Sequence, residues 1–222
     1  MTEAEILFAE VLGCDRMSLY RNRALPLNAE ISKYIGTVLK RRIHGEPLQY
    51  ILGKTEFMGL EFKVEPGVLI PRQETEILVE KVVQEVTKSQ GHNAISLSLL
   101  DLGTGSGCIA VFLAKMFPAA KITAVDISEQ ALRIAKQNAI LHGVDERIQF
   151  IQGNLLSPYA VRRTQYDIIV SNPPYIPSWE ISQLQPEIAY EPRIALDGGE
   201  DGLDFYRKIA LTCGRCLKIH GK

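Results

Sequence analysis

Leu99-Leu100-Asp101-Leu102-Gly103-Thr104-Gly105-Ser106-Gly107 is the stretch on which the fold turns. The apolar run Leu97 to Leu102 predicts a strand that stops at the first glycine, and Cys108 to Met116 predicts the helix that follows. Glycines at alternate positions let the backbone turn sharply and let a ligand approach the main chain. Beyond this unit the pattern keeps alternating. Lys121 to Val125 predicts a strand, Glu129 to Leu141 a helix capped by Ser128, and Ile148 to Ile151 and Tyr166 to Val170 two more strands. Strand–helix alternation of this kind implies a parallel sheet wrapped by helices.

The loop reads Gly-x-Gly-x-Gly, not the Gly-x-Gly-x-x-Gly of dinucleotide-binding folds. Preceded by Asp101, it has the spacing found in methyltransferases. The second strand ends at Asp126, where a carboxylate is placed to accept ribose hydroxyls. The helix after the loop offers free N–H groups to an anionic end of a ligand.

The fourth strand runs into Asn172-Pro173-Pro174-Tyr175. Ligands of open parallel sheets bind at that carboxyl edge, beside the topological switch point. An amide nitrogen is a poor nucleophile, because its lone pair is delocalised into the carbonyl. Methylating it requires alignment and polarisation. Asn172 has a side-chain oxygen for one N–H of such an amide. Pro173 has a backbone carbonyl for the other and no N–H of its own. Tyr175 offers a flat ring to stack on it.

Upstream, Thr2-x-x-Glu5 forms a capping box and Gly13 a stop, which predicts a helix over residues 3–12. Asn28 caps a longer helix with Ile31, Tyr34, Ile35, Val38, Leu39 and Ile43 on one face, and a shorter helix is expected between the two. From Leu48 to Ile70, glycines and aromatics predict a β-hairpin or extended linker, and a helix follows from about Glu74 to Lys88.

Composition excludes several classes. With 222 residues, 46% hydrophobic and 23% charged, the chain is long enough for a real core and ordinary for a soluble protein. A net charge of −1 argues against a nucleic-acid binder held by phosphate neutralisation. No apolar run approaches the roughly 18 residues of a membrane span, and the acidic N-terminus is unlike a signal peptide. A cytoplasmic protein is expected, with Cys14, Cys108, Cys213 and Cys216 as thiols. No metal site is expected: Cys213-Gly-Arg-Cys216 is a single Cys-x-x-Cys with no histidine at ligand spacing.

These motifs, with Pro47-Leu48-Gln49-Tyr50-Ile51-x-Gly53, Phe57-x-Gly59-Leu60-x-Phe62 and Pro66-Gly67-Val68-Leu69-Ile70-Pro71-Arg72-x-Glu74-Thr75-Glu76, resemble the HemK/PrmC family. That family comprises N5-glutamine methyltransferases that modify the Gly-Gly-Gln motif of class 1 peptide chain release factors. The resemblance covers nearly the whole chain. It implies a Rossmann-like α/β methyltransferase domain at 73–222, a hairpin linker at 47–72 and a helical docking domain at 1–46. The implied cofactor is S-adenosyl-L-methionine, bound by Gly103, Thr104, Gly105, Ser106, Gly107, Asp126, Asn154, Leu155 and Asn172. The implied acceptor site is Asn172, Pro173, Pro174 and Tyr175, with Arg72, Glu74 and Glu76 shaping its wall; Asn172, Pro173 and Tyr175 would carry the catalysis. The implied partners are release factors, with no direct nucleic-acid partner.

Two departures stand out. Asn154 replaces the acidic residue the family usually places near the adenine. Leu217 to Lys222 resembles the approach to a fifth strand, so a domain short of its last strands, with the fourth strand as an open apolar edge, is expected. A nucleic-acid amine methyltransferase and an inactive, truncated binding module are the alternatives.

Overall fold

The computed structural model describes residues 2–21, 26–90, 97–154 and 164–222. Helix α1 (Glu3–Leu12) starts at the Thr2/Glu5 capping box and stops at Gly13, whose φ of 60° is left-handed. Helix α2 (Arg16–Arg21) is the short element expected next, and α3 (Ala29–Ile43) starts where the Asn28 side chain accepts from the Ile31 N–H at 2.7 Å. Leu7, Ile35 and Val38 pack with Leu48 and Ile51.

Those last two residues correct the expectation of a linker extended from residue 48. Leu48–Leu52 is a helical turn, α4, that leaves Pro47 and ends at Gly53 with φ of 74°. Its apolar side completes the helical core, so that core continues past Pro47. The hairpin follows: β1 (Lys54–Phe57) pairs antiparallel with β2 (Leu60–Lys63). Met58 and Gly59 form its two-residue turn, both at positive φ, as the twist of a tight hairpin requires. Phe57 and Phe62 meet edge-on, with ring centroids 6.0 Å apart, and sink into the main core.

Helix α5 (Gln73–Gln90) leads to the sheet. Strands β3 (Ser98–Leu102), β4 (Lys121–Asp126), β5 (Ile148–Gln152) and β6 (Ile168–Ser171) lie in the order β5-β4-β3-β6, all parallel. Helices α6 (Cys108–Met116) and α7 (Glu129–Leu141) make the crossovers. The chain winds outward from β3 to β5 and then returns to the far side of β3. The switch point therefore lies between β3 and β6, and the glycine loop and Asn172 leave the sheet side by side there.

The fourth strand begins later than its apolar pattern suggests. Tyr166 donates its N–H to Cys216 O and accepts from the Lys218 N–H, at 2.7 and 2.9 Å, so it pairs outward instead of with β3. Lys222 continues this pairing, donating to Asp167 O and accepting from the Ile169 N–H. The expected open edge is thus corrected in part: residues 216–222 lie along the approach to β6 and pair with Tyr166, the Asp167 carbonyl and the Ile169 N–H. Helix α8 (Asp204–Cys213) precedes that segment. Cys213 and Cys216 are buried with Leu100, Leu102, Val125 and Tyr166, which makes them apolar filler.

Candidate active site

The glycine loop closes on itself more than a free anion cradle would. The N–H groups of Gly103 and Thr104 both donate to Val125 O, that of Gly107 to Thr104 O, and that of Gly105 to Asp126 Oδ2 at 2.8 Å. Free N–H groups are expected at the start of the helix after the loop, and these bonds within the loop do not bear on them. What remains for a ligand is bare backbone. Gly103 and Gly105 have positive φ, and a Cβ on either would meet no atom within 4 Å. Gly107 plays a different part. A Cβ there would lie 2.9 Å from Ala135 Cβ, so this glycine lets α7 pack against the loop, and it does not line the cavity.

Two carboxylates back the loop. Asp101 is fully buried and accepts from the Thr104 hydroxyl at 2.6 Å, while its Oδ1 has no partner among the described residues. Burial pushes its pKa up to about 7, the Thr104 hydrogen bond pulls it back down, and the charge of Asp126 adds to the rise. Asp126 accepts from Gly105 and Ser128 N–H groups, one on each oxygen, and is also shifted upward, chiefly by burial. Each of its oxygens keeps a lone pair for a hydroxyl. The Cys108 thiol, beside Asp101, is pushed up to about 12 by burial and by that neighbouring charge, so it stays neutral and supplies no nucleophile at physiological pH.

Asp126, Cys108 and the loop residues Gly103 to Ser106 line a cavity of about 310 Å³, and Asp101 is not part of its lining. Its lining includes Gly103, Thr104, Gly105, Ser106, Asp126 and Asn154 from the turns after β3, β4 and β5, and Arg72, Thr75, Asn172 and Pro174 from the chain before α5, its first turn and the end of β6. A smaller cavity of about 90 Å³ adjoins it, lined by Pro173, Tyr175, Ile188 and Leu196. Leu69, Arg72, Asn172 and Ala195 line both. Asn172 therefore stands at the junction. Its Nδ2 donates to the Thr75 hydroxyl at 2.8 Å.

The outer wall is assembled from distant segments. Arg72 pairs with the buried Glu191, which also accepts from the Ile70 N–H at 3.3 Å. Ile176 N–H donates to Leu196 O, and Ile176 O accepts from the Gly198 N–H, tying the loop after β6 to residues 196–198. Gly198 and Gly202 allow this closeness: a Cβ on Gly202 would lie 2.4 Å from Tyr175 O. Arg42 reaches from α3 to both Glu3 and Glu187, and Tyr190 donates to His44 O, so the helical region braces the same wall.

Two of the expected wall residues sit elsewhere. Glu74 is exposed and does not line the cavity. Glu76 accepts from the Met58 N–H at 2.7 Å, locking the hairpin turn onto α5. Leu155 lies outside the described residues. Thr75 and Glu191 were not among the expected site residues. Thr75 carried a signal, because it shares the helical spacing of Val79, Val82 and Val86, the buried stripe of α5. A polar residue on an apolar stripe needs a partner. Glu191 has no such local sign.

A four-stranded parallel sheet with an aspartate-backed Gly-x-Gly-x-Gly loop and Asn-Pro-Pro-Tyr at the switch point defines a methyltransferase of the Rossmann-like, S-adenosylmethionine-dependent type. Residues 70–189 match the methyltransferase small domain, and residues 1–53 match the PrmC N-terminal domain. A release factor glutamine methyltransferase from Geobacter sulfurreducens is 49% identical over 220 residues, 99% of this chain and 74% of that protein. One from Chlorobaculum tepidum is 42% identical over 221 residues, 98% of this chain and 75% of that one. The chain belongs to the release factor glutamine methyltransferase family. Among solved structures, the hMettl16 catalytic domain in complex with the MAT2A 3'UTR hairpin 6 shares the fold, with a TM-score of 0.57 at 17% identity over 78% of this chain and 64% of that one. No described helix is long and apolar enough to cross a membrane.

Proposed function

We propose that this protein methylates the side-chain N5 of the glutamine in the Gly-Gly-Gln motif of class 1 peptide chain release factors, using S-adenosyl-L-methionine, and so acts in translation termination in the cytoplasm. The observation that carries the reading is the position of Asn172 at the junction of two cavities, one backed by carboxylates and bare glycine backbone, the other narrow and largely apolar. The family relationship supports the same substrate.

The larger cavity fits the cofactor. Buried carboxylates penalised by desolvation favour a cationic, hydroxyl-bearing ligand, and the open space at Gly103 and Gly105 admits one. Gly103, Thr104, Gly105, Ser106 and Asp126 would hold it, with Asn154 and Leu155 at the adenine end. Bound there, S-adenosyl-L-methionine supplies a methyl group on a sulfonium, an electrophile that needs no metal.

The chain's own residues do the rest. Asn172 Oδ1 accepts one N–H of the glutamine amide and the Pro173 carbonyl accepts the other. Held by two oxygens, the amide cannot rotate, and its nitrogen gains electron density as the N–H bonds polarise. The N–C bond would form as the methyl–sulfonium bond breaks, leaving a neutral thioether, and the nitrogen, made cationic, would then give its proton to water without a strong base. Tyr175 and Pro174 flank the flat amide, and Arg72, held by Glu191, closes the wall against water. Residues 1–46 would dock the release factor, residues 47–72 link, and residues 73–222 carry the transfer chemistry.

The test is direct. The protein is incubated with a release factor and methyl-labelled cofactor, and label is expected on the Gly-Gly-Gln glutamine. A folded, cofactor-binding sample that leaves this glutamine unlabelled, or labels RNA or DNA in its place, would refute the proposal.

A further inference from the structure

A carboxamide presents an acceptor on one arm and a donor on the other. If Asn172 turns its oxygen toward the acceptor amide, it can take an N–H. If it turns its NH2, two donors face each other and the grip is lost. Nothing within the carboxamide itself chooses between the two, because a half-turn about the last bond exchanges them with little change of shape.

The choice is made from α5. Asn172 Nδ2 donates to Thr75 Oγ1 at 2.8 Å. Thr75 is buried in the first turn of α5, its N–H donates to Arg72 O at 3.0 Å, and its stripe continues into the core through Val79, Val82 and Val86. The hydroxyl is therefore fixed in place by a helix that cannot shift without disturbing that core. In the bond to Asn172 the Thr75 hydroxyl oxygen is the acceptor and the Asn172 NH2 the donor. The other end is fixed as well: Ser171 Oγ donates to Leu102 O at 2.7 Å, holding the end of β6 onto β3. Thr75 and Asn172 both line the larger cavity.

We infer that Thr75 is a positioning residue for methyl transfer: its hydroxyl oxygen engages the NH2 of Asn172 and so keeps Oδ1 turned toward the glutamine amide. The inference rests on the proposed function for its chemistry, but the contact itself is testable without turnover.

Thr75→Val keeps the branched shape and removes the acceptor, whereas Thr75→Ser keeps the acceptor. The first readout is the side-chain ¹⁵N–¹H₂ pair of Asn172 in the full chain, assigned by its loss in Asn172→Ala. In Thr75→Val this pair is expected to shift and exchange faster with water while the backbone spectrum is retained; in Thr75→Ser it stays near its original place. The second readout is methyl transfer to release factor. Thr75→Val is expected to lower kcat about 10-fold or more, with KM and cofactor Kd within about 3-fold, and Thr75→Ser to recover most of the loss. An Asn172 pair unmoved by Thr75→Val overturns the inference. So does a kcat within about 2-fold of the parent, or a loss shared equally by cofactor affinity. A parent protein that labels no release factor refutes the proposed function instead, and the spectrum still decides the Thr75 contact.

Discussion

Residues 103–131 supply one part of the cavity wall from the turns that leave two neighbouring strands and the helices they open, whereas another part gathers Arg72 and Thr75, Asn172 and Pro174, and Pro192, Ile194 and Ala195 from three separate segments. The first wall is held by short-range backbone hydrogen bonds: Gly103 and Thr104 to Val125, Gly105 to Asp126, Ser128 to Asp126. The second is held by side chains that meet across long sequence separations, Asn172 with Thr75 and Arg72 with Glu191. A wall built locally keeps its shape wherever its two strands pair. A wall built from distant parts depends on every element that braces it, including the ion pair from Arg42 to Glu187. Cofactor binding and acceptor handling should therefore separate under mutation.

The sharpest separation is expected at Asn172. Asn172→Ala should lower kcat for methyl transfer by about 10²- to 10³-fold, or roughly 3–4 kcal/mol, while isothermal titration finds a far smaller loss of cofactor affinity, since Asn172 lines that cavity too. A parallel collapse of cofactor binding would erase the distinction between the walls.

Next comes the loop itself. Gly107→Ala sets a Cβ 2.9 Å from Ala135 Cβ at a φ of 80°, and should cost about 2–3 kcal/mol of stability by thermal or denaturant unfolding. Gly105→Ala meets no atom, so only its left-handed backbone penalises it, at about 1 kcal/mol. The order of the two unfolding midpoints sharpens the split between a packing glycine and a ligand-facing one.

On the assembled wall, Glu191→Gln leaves Arg72 without its anionic partner. A loss of about 2 kcal/mol in stability is expected, with KM for release factor raised more than cofactor Kd. On the local wall, Asp126→Asn should do the reverse, weakening cofactor about 10-fold and sparing the KM for protein substrate.

The last effect is a pH slope. Asp101 has a folded pKa of about 7, above the value of about 3.9 expected when unfolded. The folded state thus holds its proton more tightly across that interval. The contribution of this group to stability is full at acid pH and declines as pH rises toward 7, by at most about 1.4 kcal/mol per pH unit. Asp101→Asn should remove that component, read as the difference between variant and parent unfolding curves from pH 4 to 8.

How much of this was legible beforehand follows the same division. The Gly-x-Gly-x-Gly loop, Asp126 and Asn-Pro-Pro-Tyr could be placed at strand ends because their meaning depends on neighbours in sequence. The capping box at Thr2, the cap at Ser128 and the turn point at Gly59 were local in the same sense. Misplacements arose where distant residues intervened. Leu48–Leu52 coils because the N-terminal helices offer it an apolar face. Tyr166 leaves the expected strand because Cys216 and Lys218 take its backbone groups. Glu76 serves a hairpin turn instead of the cavity.

Sequence alone determined the parallel sheet, its switch point and the chemical kind of the site, since hydrophobic period, glycine spacing and a proline-flanked asparagine are properties of short stretches. Tertiary structure decided which glycine packs and which faces open space, which carboxylate loses its water, and which way the Asn172 amide is turned. Those outcomes depend on what lies within a few ångströms in space, and a chain brings such neighbours together only when it folds.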